Sequence, residues 1–148
     1  MDISTYLNGA NLISIFELNM KSDEVIDLLE CFDMDVVYRF DRLCEGTPDR
    51  YAAAAHSEGL ELQFDERQVL ETIWCYIVGR DGFSPIDSSC IGVFIPSSIT
   101  EAQNYAVSTE QRFTGTDTWF RLEGAEMWIH YEFVDGKLSL ITIMRPWQ

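Results

Sequence analysis

The chain has 148 residues, with 10 Lys and Arg against 25 Asp and Glu for a formal net charge of −15, and it is 47% hydrophobic and 24% charged. Such an apolar fraction excludes a disordered chain, and no apolar run approaches the roughly 20 residues that cross a membrane. The charge argues against nucleic acid or anionic lipid as partner and favours a basic protein, although acidity also serves plain solubility.

The length suits a single domain spanning residues 1–148. The N-terminus lacks the basic start and apolar core of a secretory signal, so a cytoplasmic location is expected. Cys31, Cys44, Cys75 and Cys90 are spaced too widely for a zinc motif and are expected to be reduced, buried thiols.

Residues 1–16 read as a weak helical or extended start, with Ile13, Ile15 and Phe16 as a short strand. From Ser22 the pattern sharpens. Ser22 is a favourable N-cap, Asp23 and Glu24 suit the positive end of a helix dipole, and Val25, Ile26, Leu28 and Leu29 form an apolar stripe. A helix is predicted over 23–31, followed by a strand over 36–40 and a loop at Glu45-Gly-Thr-Pro-Asp. The run Tyr51-Ala-Ala-Ala-Ala-His favours a helical turn by propensity.

Leu60, Leu62 and Phe64 alternate with Glu61 and Gln63, a polar turn follows, and 69–78 supply a long apolar strand, giving a hairpin. After a Gly- and Pro-bearing loop, 90–95 read as a short strand that Pro96 ends. Ser97 or Ser98 caps a helix to about Val107, 114–117 make a turn, and 119–122 a strand. The strongest local signal is the stretch 128–144. Asp135-Gly136 is one of the few pairs that readily take positive φ at both positions of a type I′ hairpin turn. On its first strand Trp128, His130 and Glu132 share one face, and Ile129, Tyr131 and Phe133 share the other, which should hold the helices.

Two stretches, about 13–78 and 90–145, resemble each other in order. Residues 20–25 match 97–102 at an offset of 77, and 60–64 match 129–133 at an offset of 69. The match lies in pattern rather than identity, so a duplication and two unrelated helix–hairpin pairs both remain open. Either way the expected fold class is α+β: a mainly antiparallel β-sheet with two or three short helices packed on one face.

No motif for catalysis, a cofactor or a metal stands out. His56 and His130 are the only histidines, with no His-x-x-x-His spacing, and Ser88-Ser89-Cys90 lacks an identifiable base. The expectation is therefore a protein that works by its surface and is not an enzyme. Two features recommend themselves for partner binding: the acidic first helix and its flank, with Asp23, Glu24, Asp27, Glu30, Asp33 and Asp35, and the polar face of the last hairpin, with Trp128, His130 and Glu132. Exposed Trp and Tyr residues are common interface anchors, although filling a core accounts for aromatics equally well.

The stretches Gly59-Leu-Glu-Leu-Gln-Phe-Asp, 69–77, Gly82-Phe-Ser-Pro and Tyr131-Glu-Phe-Val-Asp-Gly-Lys-Leu-Ser-Leu-Ile-Thr resemble in style the small acidic immunity proteins of contact-dependent growth inhibition and other polymorphic toxin systems of bacteria. More faintly, the tandem helix-then-hairpin order resembles the β-lactamase inhibitor protein and small outer-membrane assembly lipoproteins. The first resemblance implies an antitoxin, monomeric alone and 1:1 with a basic cognate toxin domain, often a nuclease, whose active site or substrate path it occludes. The alternatives are a small enzyme or ligand-binding domain, its pocket between sheet and helices lined by Trp74, Tyr76, Trp128 and Tyr131, or an adaptor subunit of a larger assembly.

Overall fold

The computed structural model describes Ile3, Leu7 and residues 10–147. Eight strands form one antiparallel sheet in the order β1-β2-β3-β4-β8-β7-β6-β5. They are β1 (Val36–Arg39), β2 (Arg50–Ala55), β3 (Leu60–Phe64), β4 (Leu70–Tyr76), β5 (Phe113–Gly115), β6 (Trp119–Glu123), β7 (Trp128–Val134) and β8 (Lys137–Met144). Helix α1 (Asp23–Cys31) precedes the first four strands and α2 (Ile99–Ser108) precedes the last four. This is the α+β, mainly antiparallel architecture that the alternating patterns predict.

Strand order and register carry an internal two-fold symmetry. β4 and β8 meet at the centre, where Trp74 pairs with Thr142; Ile73↔Ile143 and Cys75↔Ile141 flank that pair, and Thr72↔Met144 and Tyr76↔Leu140 lie one step further out. Exchanging the two halves maps each flanking pair onto its mirror. The outer hairpins agree, because the β3–β4 ladder slips register between Gln63 and Phe64 and the β7–β8 ladder slips between Glu132 and Phe133, at corresponding places.

One face of the sheet supports both helices. Leu60, Leu62 and Phe64 of β3, Ile73 and Cys75 of β4, Ile141 and Ile143 of β8, and Ile129, Tyr131 and Phe133 of β7 join Val25 and Leu28 of α1 and Ala102 and Ala106 of α2 in one buried cluster. The period-2 alternation of these strands feeds that core. At about 25 cal/mol per Å² of apolar surface removed from water, such burial dominates the stabilisation. Tyr131 shares the core because its hydroxyl donates to the carbonyl of Phe94 at 2.7 Å, which satisfies a polar atom in an apolar surrounding.

The local signals act as their chemistry suggests, with instructive exceptions. Asp135 and Gly136 both take positive φ, 51° and 76°, as a type I′ turn requires. The Ser98 hydroxyl caps α2 by accepting from the Glu101 N–H, and the Glu101 carboxylate accepts from the Ser97 N–H and hydroxyl. Ser22 occupies the N-cap of α1 but makes no capping hydrogen bond. Tyr51 and the alanines 52–55 lie in β2, not in a helical turn: ladders on both sides, to β1 and β3, outweigh a helix preference of a few tenths of a kcal/mol per residue. Residues 90–95 are likewise no strand, since Ser88–Cys90 form a 3₁₀ turn and Gly92 takes φ +91° with Asn11 close against it. The expected strand around Ile13 is the 3₁₀ turn Leu12–Ile15, and the turn expected at 114–117 begins inside β5.

Candidate functional site

The sheet's second face has no helix on it among the described residues: the smaller cluster there, Tyr76, Phe83 and Leu140 with Ala54 and Trp74, contains neither α1 nor α2. Alternation turns Trp119, Arg121 and Glu123 of β6, Trp128, His130 and Glu132 of β7, Thr142 of β8 and Trp74 of β4 to this side.

Arg121 is the centre of one half of the face. Its guanidinium carbon lies 5.2 Å from the Trp119 ring centroid, 4.5 Å from Trp128 and 4.8 Å from Trp147. Trp119 precedes it by two positions on the same strand, Trp128 is its diagonal neighbour on β7, and Trp147 arrives from the chain beyond β8. Arg121 also pairs with Glu123 at 2.9 Å, and Glu123 pairs with Arg112 at 3.4 Å. The Arg121 side chain is only 11% exposed, so the indoles shield a charge that Glu123 balances, a combination that strengthens cation–π attraction. Trp147 remains 67% exposed and presents an indole to solvent beside this cluster.

The other half is capped by the loop after β4. Phe83 stacks between Tyr76, at 4.1 Å, and His56, at 4.3 Å. Arg80 of the same loop lies over the Tyr76 ring and pairs with Glu132 at 3.2 Å, which ties the loop to β7. Tyr76 donates its hydroxyl to Glu61 at 3.0 Å. Burial, and then the Glu61 carboxylate, push the Tyr76 phenol up to about 12, so it stays protonated as a donor.

His130 sits between these halves, stacked on Trp119 with centroids 5.2 Å apart and paired across the strands with Arg121. Its Nδ1 has no hydrogen-bond partner among the described residues. Burial first, and the neighbouring Arg121 charge second, lower its pKa against the opposing pull of Glu132. The ring is therefore neutral at pH 7 and contributes as a flat, polar-edged surface.

The residues expected to bind a partner divide between the two sides of the molecule. Trp128, His130 and Glu132 lie together on the uncovered face, although Glu132 is engaged with Arg80. Asp23, Glu24, Asp27 and Glu30 are exposed on α1, on the helix side of the sheet, and cannot join them in one flat contact. Asp33 and Asp35 follow that helix and line a groove with Val37, Ala52, Ala54 and Glu61 near the β1 edge. Glu17, six residues before that helix, is bound to Arg145.

The ligand pocket drawn from the sequence does not form. Tyr131 is 1% exposed in the helix-side core, whereas Trp74, Tyr76 and Trp128 are turned to the other face, because period 2 sends neighbours on a strand to opposite sides. Sequence reasoning missed Arg121, although the alternation Trp119-Phe-Arg-Leu-Glu123 already places Trp119, Arg121 and Glu123 on one face. Of the cysteines, Cys75 and Cys90 are buried, but Cys31 and Cys44 are exposed, contrary to the expectation of buried thiols. Among the described residues no cluster of His, Cys, Asp and Glu is placed to hold a metal ion, and no helix is long and apolar enough to cross a membrane. No protein-family model, curated protein or solved structure matches the chain.

Proposed function

We propose that this chain is an immunity protein, which binds a basic toxin domain, a nuclease, on the uncovered face of its sheet and blocks the toxin's active site or substrate path. The observation that carries the reading is the Arg121 cluster, with Trp119, Trp128 and Trp147 gathered at one end of a face that no helix among the described residues covers. Trp, Tyr and Arg dominate the energetics of protein interfaces because they bury large areas at low entropic cost while keeping a polar handle. Rigidity already supplied by Glu123 and the stacked rings lowers the ordering cost on association.

The net charge of −15 supports the choice of partner. A nuclease must present cations to phosphate, and an acidic inhibitor is drawn to the same cations, with association accelerated by about ten- to a thousandfold at low salt. One to one binding follows from a single such face per chain, and the protein acts in the cytoplasm, where an incoming toxin meets its substrate.

Coexpression with the product of the neighbouring gene, followed by affinity capture and a growth-protection assay, tests this. Capture of that product by the wild-type chain, and a loss of about thirtyfold or more in affinity on Trp147→Ala, are expected for an anchor worth about 2 kcal/mol or more, on the order of hot-spot losses. A chain that neither captures nor protects against its neighbour's product sinks the reading.

A further inference from the structure

Two strands end the sheet, β1 and β5, and β1 is the longer, with four residues against three. β1 pairs with β2 on one side and, among the described residues, with no strand on the other. Its residues are exposed on both faces: Val36 is 39%, Val37 55% and Tyr38 50% exposed, and Phe40 just beyond is 53% exposed. Edge strands are normally blunted by lysine, proline or a bulge, because free N–H and C=O groups invite another strand. Val36-Val-Tyr-Arg39 has no lysine or proline, and its ladder to β2 runs without a bulge.

Beside this edge lies a groove of about 320 Å³, lined by Ala52 and Ala54 with the carboxylates of Asp33, Asp35 and Glu61 and the opposing Arg39 and His56. Asp33 and Asp35 are exposed and make no ion pair with another described residue. Alanine is a poor strand former, and its place in the middle of β2 leaves lateral room on the face where longer side chains would stand.

We propose that a β-strand of a basic partner adds to the free edge of β1 and lays a Lys or Arg side chain in this groove. The aliphatic stem rests on Ala52 and Ala54, and the cationic head meets Asp33, Asp35 and Glu61. Alternation then places the partner's intervening apolar side chains on the other face, beside Val36 and Tyr38. A second copy of this chain is a poor occupant, since two bodies of formal charge −15 repel. The inference rests on the reading of the protein as a binder of a basic partner, but uses none of the Arg121 cluster.

The test is a titration of the full-length, isotopically labelled chain with a short peptide of alternating valine and arginine, followed by amide NMR shifts. Saturable shifts are expected at 36–39 and at Ala52 and Ala54, and Asp33→Asn with Asp35→Asn should weaken the affinity by about tenfold, the sum of two modest ion pairs. Two versions of the peptide, N-methylated at the valines or at the arginines, should differ: one phase points its N–H groups at β1 and loses binding, and the other keeps it. Equal binding by both versions, shifts confined to α1, or a dimer of the protein alone that shields the β1 amides would overturn the proposal. Peptide binding without protection against the neighbouring toxin sinks the immunity reading and leaves the edge site standing. Protection with no peptide binding does the reverse.

Discussion

Arg121 and Trp128 are diagonal neighbours across β6 and β7, the guanidinium carbon 4.5 Å from the indole centroid, and this contact holds a buried positive charge among rings and beside the Glu123 carboxylate. Glu123, whose side chain is 8% exposed, depends on that charge, because its other partner, Arg112, is 84% exposed. Arg121→Ala therefore strands a buried carboxylate and opens space under Trp147. A loss of about 3 kcal/mol is expected from the urea midpoint at unchanged m-value. Arg121→Met with Glu123→Gln removes both charges and should recover more than half of that loss. A single Arg121→Ala change costing under about 0.5 kcal/mol, the range of an ordinary surface substitution, would show that the cluster is not organised around the charge.

Gly59 separates the 3₁₀ turn after β2 from β3 and takes φ +68°, and a Cβ there would lie 2.3 Å from the Ser84 carbonyl oxygen and 2.6 Å from the Ile86 nitrogen. Both are backbone atoms of the loop whose Phe83 caps Tyr76, so they cannot swing aside. Gly136 has a similar φ of +76° but nothing within 4 Å. Alanine at 136 should cost only the left-handed penalty, about 1 kcal/mol. Alanine at 59 adds a clash and should cost on the order of 3 kcal/mol or prevent folding. Thermal unfolding of the two variants side by side checks the difference, and equal shifts in melting temperature would mean that the 84–86 loop is not held where the sheet needs it.

His130 makes stability sensitive to mild acid. Its pKa is lowered in the folded protein, so between that value and the ordinary imidazole value of about 6.5 the unfolded chain binds more protons than the folded one. Stability is then full above about pH 6.5 and declines as pH falls through the folded pKa. His130→Gln, which keeps a flat polar group beside Trp119, should flatten the slope of unfolding free energy against pH just below about 6.5. A slope unchanged by the substitution would assign it to other groups.

Legibility in the sequence followed how local each cause is. The β7–β8 hairpin is announced by Asp135-Gly136 and by alternation on both sides, and α1 by its acidic first turn and apolar stripe, because those causes lie within a few residues of their effects. β2 was obscured because alanine speaks for helix while the neighbours that make it a strand, β1 and β3, lie on either side of it in space. The candidate face was half visible: Trp128 and His130 announce themselves, whereas the third indole on Arg121 comes from Trp147 only because the chain folds back after β8. The acidic residues of 23–35 are one run in sequence, but α1 and the groove by β1 take different members of it, since charge along a sequence says nothing about which side of a sheet receives it.

Arg145 binds carboxylates from distant parts of the chain: it donates to both oxygens of Glu17, contacts Asp65 at 2.8 Å and Glu71 at 3.6 Å, and Glu71 also meets Arg50 at 2.8 Å. One cation thereby fastens the end of β8 to the β3–β4 turn and to the segment before α1. In a chain of net charge −15 its removal leaves Glu17, Asp65 and Glu71 facing one another with Arg50 alone to offset them. The Arg145 side chain is 37% exposed, so water already screens part of this attraction, and Arg145→Ala should cost about 1–2 kcal/mol rather than the larger loss of a buried pair. Asp65 supplies a second readout. Burial raises its pKa, but the N–H groups of Val69 and Arg67 together with Arg145 outweigh that and hold it below the ordinary carboxylate value. Its contribution is present above about pH 3.9 and lost as pH falls through the folded value. In Arg145→Ala the Asp65 pKa should rise toward the ordinary value, measurable by NMR titration of its side-chain carboxyl carbon, and added salt should narrow the stability gap between variant and parent. An Asp65 pKa unmoved by the substitution would mean that the backbone N–H groups alone hold it down and that Arg145 is a surface ornament of Glu17.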